Sequence, residues 1–367
     1  MRFRQFRDDW SIKRLSDIAE VVGGGTPDTT DSTLWNGDIQ WFTPTEVGHS
    51  KYVSSSIRTI SQLGLKKSSA KKLPAGSILL SSRATVGECS IAQRDCTTNQ
   101  GFQNLIPKKS VYNEFLYYLT QTKKRHFVKY ASGSTFLEIS NSEIKKAICA
   151  IPDIEEQTEI ATFLSAIDMR IEVQNKIISK YETLIKGLCD LLFSNTTTVI
   201  SPLKSIATIN KGQQINGLAL AKTDEYYYLN GGISPSGYVQ EYNTSENTIS
   251  ISEGGNSCGF VAYNTQKFWS GGHCYTLKII NTKCRSKFLY FYLKHREKDI
   301  MQLRVGSGLP NIQKRSLENF AVALPSVEKQ CYIEHILECI TAKKEIETDL
   351  LGQFQSQKKF LLSKMFI

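Results

Sequence analysis

The sequence predicts an α+β fold: two globular domains of mixed α/β structure separated by two long antiparallel coiled-coil helices, with an internal pseudo-twofold. Three observations predict this fold. Residues recur in kind after a constant shift of 173 positions, Gly- and Pro-rich parts contain short strand-like runs, and two long stretches have the apolar spacing of helices. The 367 residues are enough for two domains of ordinary size.

The repeat begins at Phe115 and runs through the second half of each copy. The recurring residues pair Phe115-Leu116-Tyr117 with Phe288-Leu289-Tyr290, Ile139 with Ile312, Pro152 with Pro325, Glu155 and Gln157 with Glu328 and Gln330, and Ile160, Leu164 and Ile167 with Ile333, Leu337 and Ile340. A period this long indicates a duplication and not a solenoid. One chain with two copies of a unit can form an approximate twofold by itself, which suits a target with two half-sites.

The first part of each copy is expected to contain short strands joined by loops. Strand-like runs at 39–42, 78–80, 226–229 and 248–251 alternate with Gly, Pro, Ser, Thr and Asn. A helix is predicted at the end of each region, over 114–130 and 286–303. The predicted boundaries are 1–152 and 196–325 for the mixed domains, and 153–195 and 326–367 for the long helices. Between Leu15 and Phe115 lie 100 positions, against 85 between Leu203 and Phe288, so the middles of the two copies differ.

Two long helices are predicted from apolar residues at a 3-4 spacing. The seam positions are Ile160, Leu164, Ile167, Ile171, Ile178, Ile185 and Leu188 in the first helix, and Ile333, Leu337, Ile340, Leu351 and Phe354 in the second. A helix of about 40 residues is roughly 60 Å long. Because such a helix is too long to bury against a small domain, we expect the two to pack on one another. Gln174 interrupts the first seam, and antiparallel packing predicts that it meets Lys344 or Glu347.

The composition favours a polyanion as partner. The formal charge is +10 with a pI near 9.0, and basic residues cluster at 66–72 and 123–129 without an acidic cluster of similar size. Nine cysteines without C-x-x-C spacing argue against a disulfide framework and a zinc site, and predict reduced thiols in a cytoplasm. No apolar run reaches the roughly 18 residues of a membrane helix, and the start has no apolar segment of a signal peptide. No membrane partner is therefore expected.

The sequence contains no recognisable catalytic motif. The Gly-rich stretch 254–259 lacks the Lys of a phosphate-binding loop. No two prolines are adjacent, so the [DN]-P-P-[YF] tetrad of amino-methyltransferases cannot be present, and the five histidines are scattered. We expect no catalytic residue, no metal ligand and no cofactor on this chain.

Short motifs stand at the start of each copy, in its loops and at the start of each long helix. They are Gly23-Gly24-Gly25-Thr26-Pro27, Trp35-x-Gly37-Asp38, Thr43-Pro44-x-Glu46, Ser82-Arg83-x-Thr85-x-Gly87 and Asn99-Gln100-Gly101, then Leu203-x-x-Ile206, Ser252-Glu253-Gly254-Gly255-Asn256 and Ser270-Gly271-Gly272-His273, with Pro-x-x-Glu-x-Gln at 152–157 and 325–330. This set resembles the DNA-specificity subunit of type I restriction–modification systems.

The resemblance implies a sequence-specific, non-catalytic DNA-binding subunit. Two target-recognition domains would each read half of a bipartite, asymmetric site, and the paired helices would set the spacer. The implied partners are double-stranded DNA, methyltransferase subunits that would carry S-adenosylmethionine, and endonuclease/translocase subunits.

Polar side chains that follow predicted strands into loops are the candidates for DNA contact. They are Thr43, Thr45, Glu46, Ser82, Arg83, Thr85 and Gln100 in the first domain, and Asn230, Glu253, Asn256, Ser257, Ser270 and His273 in the second. The candidates for phosphate contact are Lys71, Lys72, Lys123, Lys124 and Arg125. The same residue types also form ordinary turns.

Two other functions stay open on the sequence alone. One is a non-enzymatic coiled-coil scaffold with two binding modules for another polyanion, RNA or a membrane surface. The other is an enzyme with an unrecognised active site. A DNA reader should show a steep salt dependence with a sequence-dependent component, whereas an enzyme should turn over substrate without a partner.

Overall fold

Residues 2–133, 137–194, 199–217, 220–306, 308 and 310–366 are described by the computed structural model. The chain divides into two units, Met1–Val173 with Leu351–Ile367 (unit 1) and Gln174–Leu350 (unit 2). Each of the two long helices therefore contributes one part of its length to each unit.

Unit 1 combines short strands with helices of very different length. Its strands are β1 (Ser11–Arg14), β2 (Ala19–Gly23), β3 (Trp35–Phe42), β4 (Tyr52–Val53), β5 (Arg58–Ile60), β6 (Ile78–Leu80), β7 (Cys89–Ala92), β8 (Cys96–Thr98), β9 (Gln103–Pro107) and β10 (Ile148–Ile151). Its helices are α1 (Leu15–Ile18), α2 (Gln62–Lys66), α3 (Asn113–Thr122), α4 (Lys124–Lys129), α5 (Asn141–Lys146) and the first part of α6 (Ile154–Ser194).

Unit 2 has a similar order of elements. Its strands are β11 (Val199–Pro202), β12 (Ala207–Lys211), β13 (Tyr226–Leu229), β14 (Gly237–Val239), β15 (Thr248–Ser252), β16 (Val261–Asn264), β17 (Phe268–Ser270), β18 (Cys274–Ile279), β19 (Arg304–Val305), β20 (Asn311–Ile312) and β21 (Ala321–Leu324). Its helices are α7 (Ser286–His295), α8 (Glu297–Gln302), α9 (Lys314–Glu318) and the first part of α10 (Val327–Met365). All four strand-like runs predicted from the sequence lie in strands.

The two units share their sheet topology. In unit 1 the strand orders are β2-β9-β6-β7-β4 and β5-β3-β8, and in unit 2 they are β12-β18-β15-β16 and β14-β13-β17. In each three-stranded sheet the central strand pairs with one neighbour in parallel and with the other antiparallel. Strand β4, at the edge of the larger sheet of unit 1, has no counterpart in the larger sheet of unit 2. The middles of the two copies, which differ in sequence and length, therefore follow the same path.

Each unit has its own core, which includes part of both long helices. In unit 1 Phe115 and Leu164 pack with Leu361, and in unit 2 Phe288 and Leu337 pack with Cys189. Of the predicted seam residues, the buried ones are Ile160, Leu164, Ile167, Ile333 and Leu337, and the half-buried ones are Ile171, Ile178, Ile185, Leu188, Ile340, Leu351 and Phe354. Among the predicted seam residues, the buried ones therefore lie in the first part of each helix.

The long helices are antiparallel, as predicted. In unit 2, Gln174 donates a hydrogen bond to the backbone carbonyl of Glu347 at 2.9 Å, and Glu182 pairs with Lys344 at 3.0 Å. The partner of the later residue in α6 is thus the earlier residue in α10, as antiparallel helices require. Gln174 is 4% exposed and also contacts the Glu347 carboxylate, so the predicted polar layer is confirmed. In unit 1, Lys358 pairs with Asp168 at 2.6 Å.

The Pro-x-x-Glu-x-Gln motif anchors the first turn of each long helix. Gln157 and Gln330 are buried. Each side-chain amide donates to the carbonyl of the motif's own proline and to a carbonyl in the loop before α3 or α7, and each side-chain oxygen accepts a backbone N–H from that loop. The partners are Pro152, Ser110 and Tyr112 for Gln157, and Pro325, Lys283 and Arg285 for Gln330, all at 2.8–3.2 Å. Every partner pair obeys the shift of 173, so the motif serves the same structural purpose twice.

The prediction of single helices over 114–130 and 286–303 was wrong. The structure breaks them at Lys123 and Arg296, where ψ is −1° and 15°. Before the first break, the hydroxyls of Thr120 and Thr122 donate to the carbonyls of Leu116 and Leu119 at 2.7 Å. Such side-chain bonds to the preceding turn compete with helical geometry and bend helices.

Candidate nucleic-acid interface

Each unit carries a loop at the same topological place, directly after the third strand in the order of its larger sheet. In unit 1 it joins β6 to β7, and in unit 2 it joins β15 to β16. The N–H of Ser82 donates to Gly101 and its carbonyl accepts from Ile139, at 2.8 and 3.0 Å. Glu253 makes the same bonds with His273 and Ile312, at 2.9 and 2.8 Å. Both loops end at a glycine with positive φ, Gly87 and Gly259, at 88° and 91°.

In unit 1 the β6–β7 loop meets two of the other predicted loops. The Thr85 hydroxyl donates to the carbonyl of Pro44 at 3.5 Å and to Ser81 at 3.0 Å, and Gly101 lies directly against the Pro44 ring. The hydroxyl of Thr26 bonds to Gln100. We call the surface formed by the 43–46, 82–87 and 99–101 segments the unit 1 loop surface. Its exposed members are Thr45, Arg83, Thr85 and Gln100, its half-buried members are Thr43 and Glu46, and Ser82 is buried.

Several of these side chains already have intramolecular partners. One Glu46 oxygen accepts from the N–H and hydroxyl of Thr43, at 2.8 and 2.7 Å, and the other from the N–H of Ile57 at 2.7 Å. Arg83 pairs with Glu138 at 2.8 Å. The Ser82 hydroxyl oxygen is buried without a hydrogen-bond partner in the described part of the chain. Glu46 therefore positions two loops, and a direct base contact by Ser82 would require its loop to open.

The predicted phosphate contacts separate into two groups. Lys124 pairs with Glu88 and packs on Gly87, at the end of the β6–β7 loop, and Lys123 and Arg125 flank it at the break between α3 and α4. Lys71 and Lys72 are exposed, and Lys72 pairs with Asp95 at 2.9 Å. Asp95 precedes β8, whereas Gln100 follows it. The structure thus joins the first group to the unit 1 loop surface and leaves the second at the other end of β8.

In unit 2 three predicted residues, Asn230, Glu253 and His273, lie together at a buried carboxylate, that of Glu253. Glu253 accepts from Lys211 at 2.6 Å and from the Tyr275 hydroxyl at 2.9 Å, and His273 Nδ1 lies 3.6 Å from its other oxygen. Asn230 accepts from the N–H of His273 at 3.1 Å. Ser270 is buried at the end of β17, so a contact through its side chain would also need a rearrangement.

The remaining two candidates of unit 2 lie further along the β15–β16 loop. Asn256 and Ser257 belong to a 3-10 turn at 255–257, where Asn256 is exposed and Ser257 half-buried. We call residues 230, 253–257 and 270–273 the unit 2 loop surface.

Close packing explains Gly24 and Gly212, the residues that directly follow β2 and β12. A Cβ at Gly24 would overlap the backbone of Thr98 and Asn99, and one at Gly212 would overlap that of Ser270 and Gly271. The chain leaving β2 or β12 thus crosses directly against the end of β8 or β17. Only glycine permits this approach, and it brings the motif loop to the loop surface of each unit.

Sequence reasoning missed two residues beside the unit 1 loop surface, Ile57 and Arg58. Ile57 is 86% exposed, and the Arg58 guanidinium carbon lies 3.6 Å from the centre of the Trp35 ring. The usable signal was the pair of tryptophans at 35 and 41, of which only Trp41 lies in a predicted strand, because an aromatic ring provides a face on which a cation can stack.

In the described part of the chain, no group of three or more His, Cys, Asp or Glu side chains is placed to hold a metal ion. All nine cysteines are free thiols. Within the same residues, no helix combines the length and apolar character needed to cross a membrane.

Comparison with known proteins identifies the family. A model of the type I restriction modification DNA specificity domain matches residues 7–183 and 195–354. The chain belongs to the type I restriction–modification specificity family. This confirms the family predicted from the motifs, and specificity subunits of these systems are non-catalytic.

Two of the relatives match this type I specificity chain over most of its length. It is 31% identical to the type I restriction enzyme MjaIX specificity subunit of Methanocaldococcus jannaschii, over 86% of the chain and 83% of the relative. It is 26% identical to the EcoprrI specificity subunit of Escherichia coli, over 88% of the chain and 86% of the relative.

The fold of this specificity chain is similar to that of solved type I proteins. The S subunit of a type I system from M. genitalium matches with a TM-score of 0.68 at 19% identity, covering 100% of this chain and 99% of that one. A chain from work on complex assembly and conformational transition of the type I R-M system matches with a TM-score of 0.61 at 15% identity, covering 98% of both.

Proposed function

We propose that this specificity chain recognises a bipartite, asymmetric site on double-stranded DNA, with target-recognition domains at 1–152 and 196–325 reading one half each. The observation that carries the proposal is the repeated loop after β6 and β15. Its ends are fixed by equivalent backbone bonds, while its exposed side chains differ: Arg83 and Thr85 in one unit, Asn256 in the other. Equivalent frames with different side chains are what two different half-sites require.

Within each surface the side chains divide by task. The exposed residues Thr45, Arg83, Thr85, Gln100, Asn256 and His273 supply donors and acceptors for base edges and sugars. Glu46, Glu253 and Asn230 hold neighbouring loops in place through the bonds described above. Lys123, Lys124 and Arg125 bind phosphates beside the first surface, and Lys71 and Lys72 provide a separate phosphate contact.

The repeated parts of the chain serve the partners. Methyltransferase subunits, which carry S-adenosylmethionine, bind to elements present twice, the glutamine-anchored starts of α6 and α10, which belong to the predicted helical segments 153–195 and 326–367. Endonuclease/translocase subunits join that assembly. Since two copies of one surface accept two copies of one partner, the shift of 173 predicts a pair of methyltransferase subunits. The nine free thiols suit the reducing cytoplasm, where the DNA substrate is found.

The test is a map of modified adenines after co-expression of this chain with its methyltransferase subunits. We expect one split motif. The double variant Arg83→Ala/Thr85→Ala should alter only one half of that motif, and Asn256→Ala/Ser257→Ala only the other. The control, Lys145→Ala, changes an exposed residue of α5 and should leave the map unchanged. A motif without a gap, or a change in both halves from either variant, would overturn the proposal.

A further inference from the structure

The loop that precedes β5 in unit 1 holds an apolar side chain in solvent. Ile57 is the most exposed large apolar residue in the described chain, at 86%. The loop is nevertheless fixed: the N–H of Ser56 donates to the Gln40 side chain at 2.6 Å, the N–H of Trp41 donates to the Ser56 hydroxyl at 2.9 Å, and the N–H of Ile57 donates to Glu46 at 2.7 Å. A side chain exposed by such a fixed loop is preorganised for contact.

Arg58, the next residue, is also held in place. Its guanidinium carbon lies 3.6 Å from the centre of the Trp35 ring and 5.7 Å from that of Trp41. Both rings are fixed because each indole N–H donates to a backbone carbonyl at 2.9 Å, of Asp28 and of Gly25. Arg58 is exposed and has no carboxylate or hydrogen-bond partner for its guanidinium in the described residues.

Stacking on the ring leaves the guanidinium donors available. A guanidinium has five N–H donors in one plane, in a fork that matches a pair of acceptors, and contact with an aromatic face fixes that plane without consuming a donor. By contrast, the guanidinium of Arg83 on the unit 1 loop surface is already paired with Glu138. Arg58 therefore combines a fixed orientation with free donors.

The corresponding connection of unit 2 supports a role in recognition. The β13–β14 connection occupies the place of the β3–β5 connection, and it presents Ile233 at 68% exposure. In the strand pairing, Gly237 lies opposite Tyr228 as Arg58 lies opposite Trp41. Both connections thus expose an isoleucine, although at different positions relative to the strand pairing, whereas the cation does not recur, as expected if the two units read different bases.

We propose that Arg58 and Ile57 form a base-reading pair, with Arg58 donating to O6 and N7 of a guanine and Ile57 contacting the 5-methyl group of an adjacent thymine in the major groove. This inference rests on the proposed function. Arginine to guanine and apolar side chain to thymine methyl are the side-chain pairings that groove geometry favours. Glu46 links the pair to the unit 1 loop surface, because the same carboxylate binds Ile57 and Thr43.

The test measures binding of the assembled chain and methyltransferase complex to duplexes that carry one base analogue each. Replacing the critical guanine by 7-deazaguanine should weaken binding of the wild-type complex roughly 5- to 150-fold. The variant Arg58→Lys should bind the unmodified duplex more weakly by a similar factor. The two changes together should cost less than the sum of their separate effects, because both act on the same contact. Uracil in place of the adjacent thymine should cost roughly fourfold, and Ile57→Ser should abolish that sensitivity.

Arg94→Lys is the matched control, since Arg94 is exposed in the same unit on the turn between β7 and β8. It should leave all duplexes unaffected. Equal binding by wild type and Arg58→Lys on every duplex would overturn the inference. So would a uniform loss on all sequences, which would indicate a phosphate contact, or additive losses in the double comparison. If the wild-type complex itself showed no sequence preference, the proposed function would fail first, and the two failures are therefore distinguishable.

Discussion

At the scale of single residues, a polar cluster fixes the strands of unit 1 to α6. Glu114 of α3 pairs with Lys51 at 2.7 Å, accepts from the Ser165 hydroxyl of α6 at 2.7 Å, and accepts from the Tyr52 hydroxyl. In unit 2 the residues shifted by 173 from Glu114 and Ser165 are Lys287 and Glu338, which pair with each other. The contact between the two helices is thus kept, as a hydrogen bond between Ser165 and Glu114 in unit 1 and as an ion pair between Lys287 and Glu338 in unit 2.

The Glu114 cluster makes a prediction about acid stability. Burial alone raises the pKa of the Glu114 carboxyl, but hydrogen bonds from Lys51, Tyr52 and Ser165 outweigh it and hold that pKa below its usual range. A lowered folded-state pKa stabilises the protein above the unfolded value of about 4.3 and loses that contribution as the pH falls through the folded value. Glu114→Gln should therefore lower the free energy of unfolding by roughly 1–3 kcal/mol at pH 7, with a smaller difference at pH 3.

Urea unfolding at both pH values measures this difference. Glu20→Gln is the control, because Glu20 is exposed on β2 and makes no bond through its side chain in the described residues. An equal loss of stability at pH 3 and pH 7 would show that the variant acts through packing and not through charge.

The sequence predicted where some candidate side chains lie, but it did not predict which groups they contact. Arg83 and Glu46 were identified because polar residues follow strands, and both lie at the unit 1 loop surface. Their partners, Glu138 and the N–H of Ile57, could not be predicted, since no local pattern encodes contacts between distant segments. Arg58 was missed for the same reason: its stacking on Trp35 depends on the antiparallel pairing of β3 with β5.

At the scale of elements, the fold was predictable where a periodic spacing of apolar residues continues over a long stretch of sequence. The seams of α6 and α10 have a 3-4 spacing over many turns, so the existence of the helices followed from the pattern, and their antiparallel direction followed from the duplication. The common topology of the sheets did not, because most of their strands have only three to five residues and carry little pattern, and their pairing is non-local. The longer middle of unit 1 accommodates β4 within the β3–β5 connection.

The helix starts provide the element-scale prediction. Gln157→Leu removes three hydrogen bonds and leaves buried carbonyls and the N–H of Tyr112 without partners, which should cost roughly 1–3 kcal/mol of the free energy of unfolding. Gln330→Leu should cost a similar amount, because its bonds are equivalent. Urea titration of each variant measures this cost.

Gln353→Leu is the matched control, since Gln353 is exposed on α10, and it should change stability by less than about 0.5 kcal/mol. If Gln353→Leu destabilised the chain as much as the other two variants, the anchoring role of Gln157 and Gln330 would be refuted.

At the scale of the whole molecule, the helix pair relates the repeat to symmetry. Gln174 and Glu347 are themselves separated by the shift of 173, and they bond to each other. A residue that meets its own counterpart marks where a local twofold crosses the helix pair. A buried polar contact in such a seam fixes the register of two helices at some cost in stability. Register matters here because one part of each helix belongs to each unit.

Fixed register makes the helix pair a candidate for setting the spacer of the DNA site, and this can be tested by shortening it. Deleting 175–181 from α6 and 340–346 from α10 removes one heptad from the same antiparallel layer and keeps Gln174 and Glu347. Seven helical residues span about 10 Å and a base pair rises about 3.4 Å, so the gap between half-sites should shorten by about three base pairs while both half-sites stay the same. Mapping of modified adenines measures the gap. The single deletion of 175–181, which offsets the seams, should abolish modification, and an unchanged gap in the double deletion would refute the helices as the spacer.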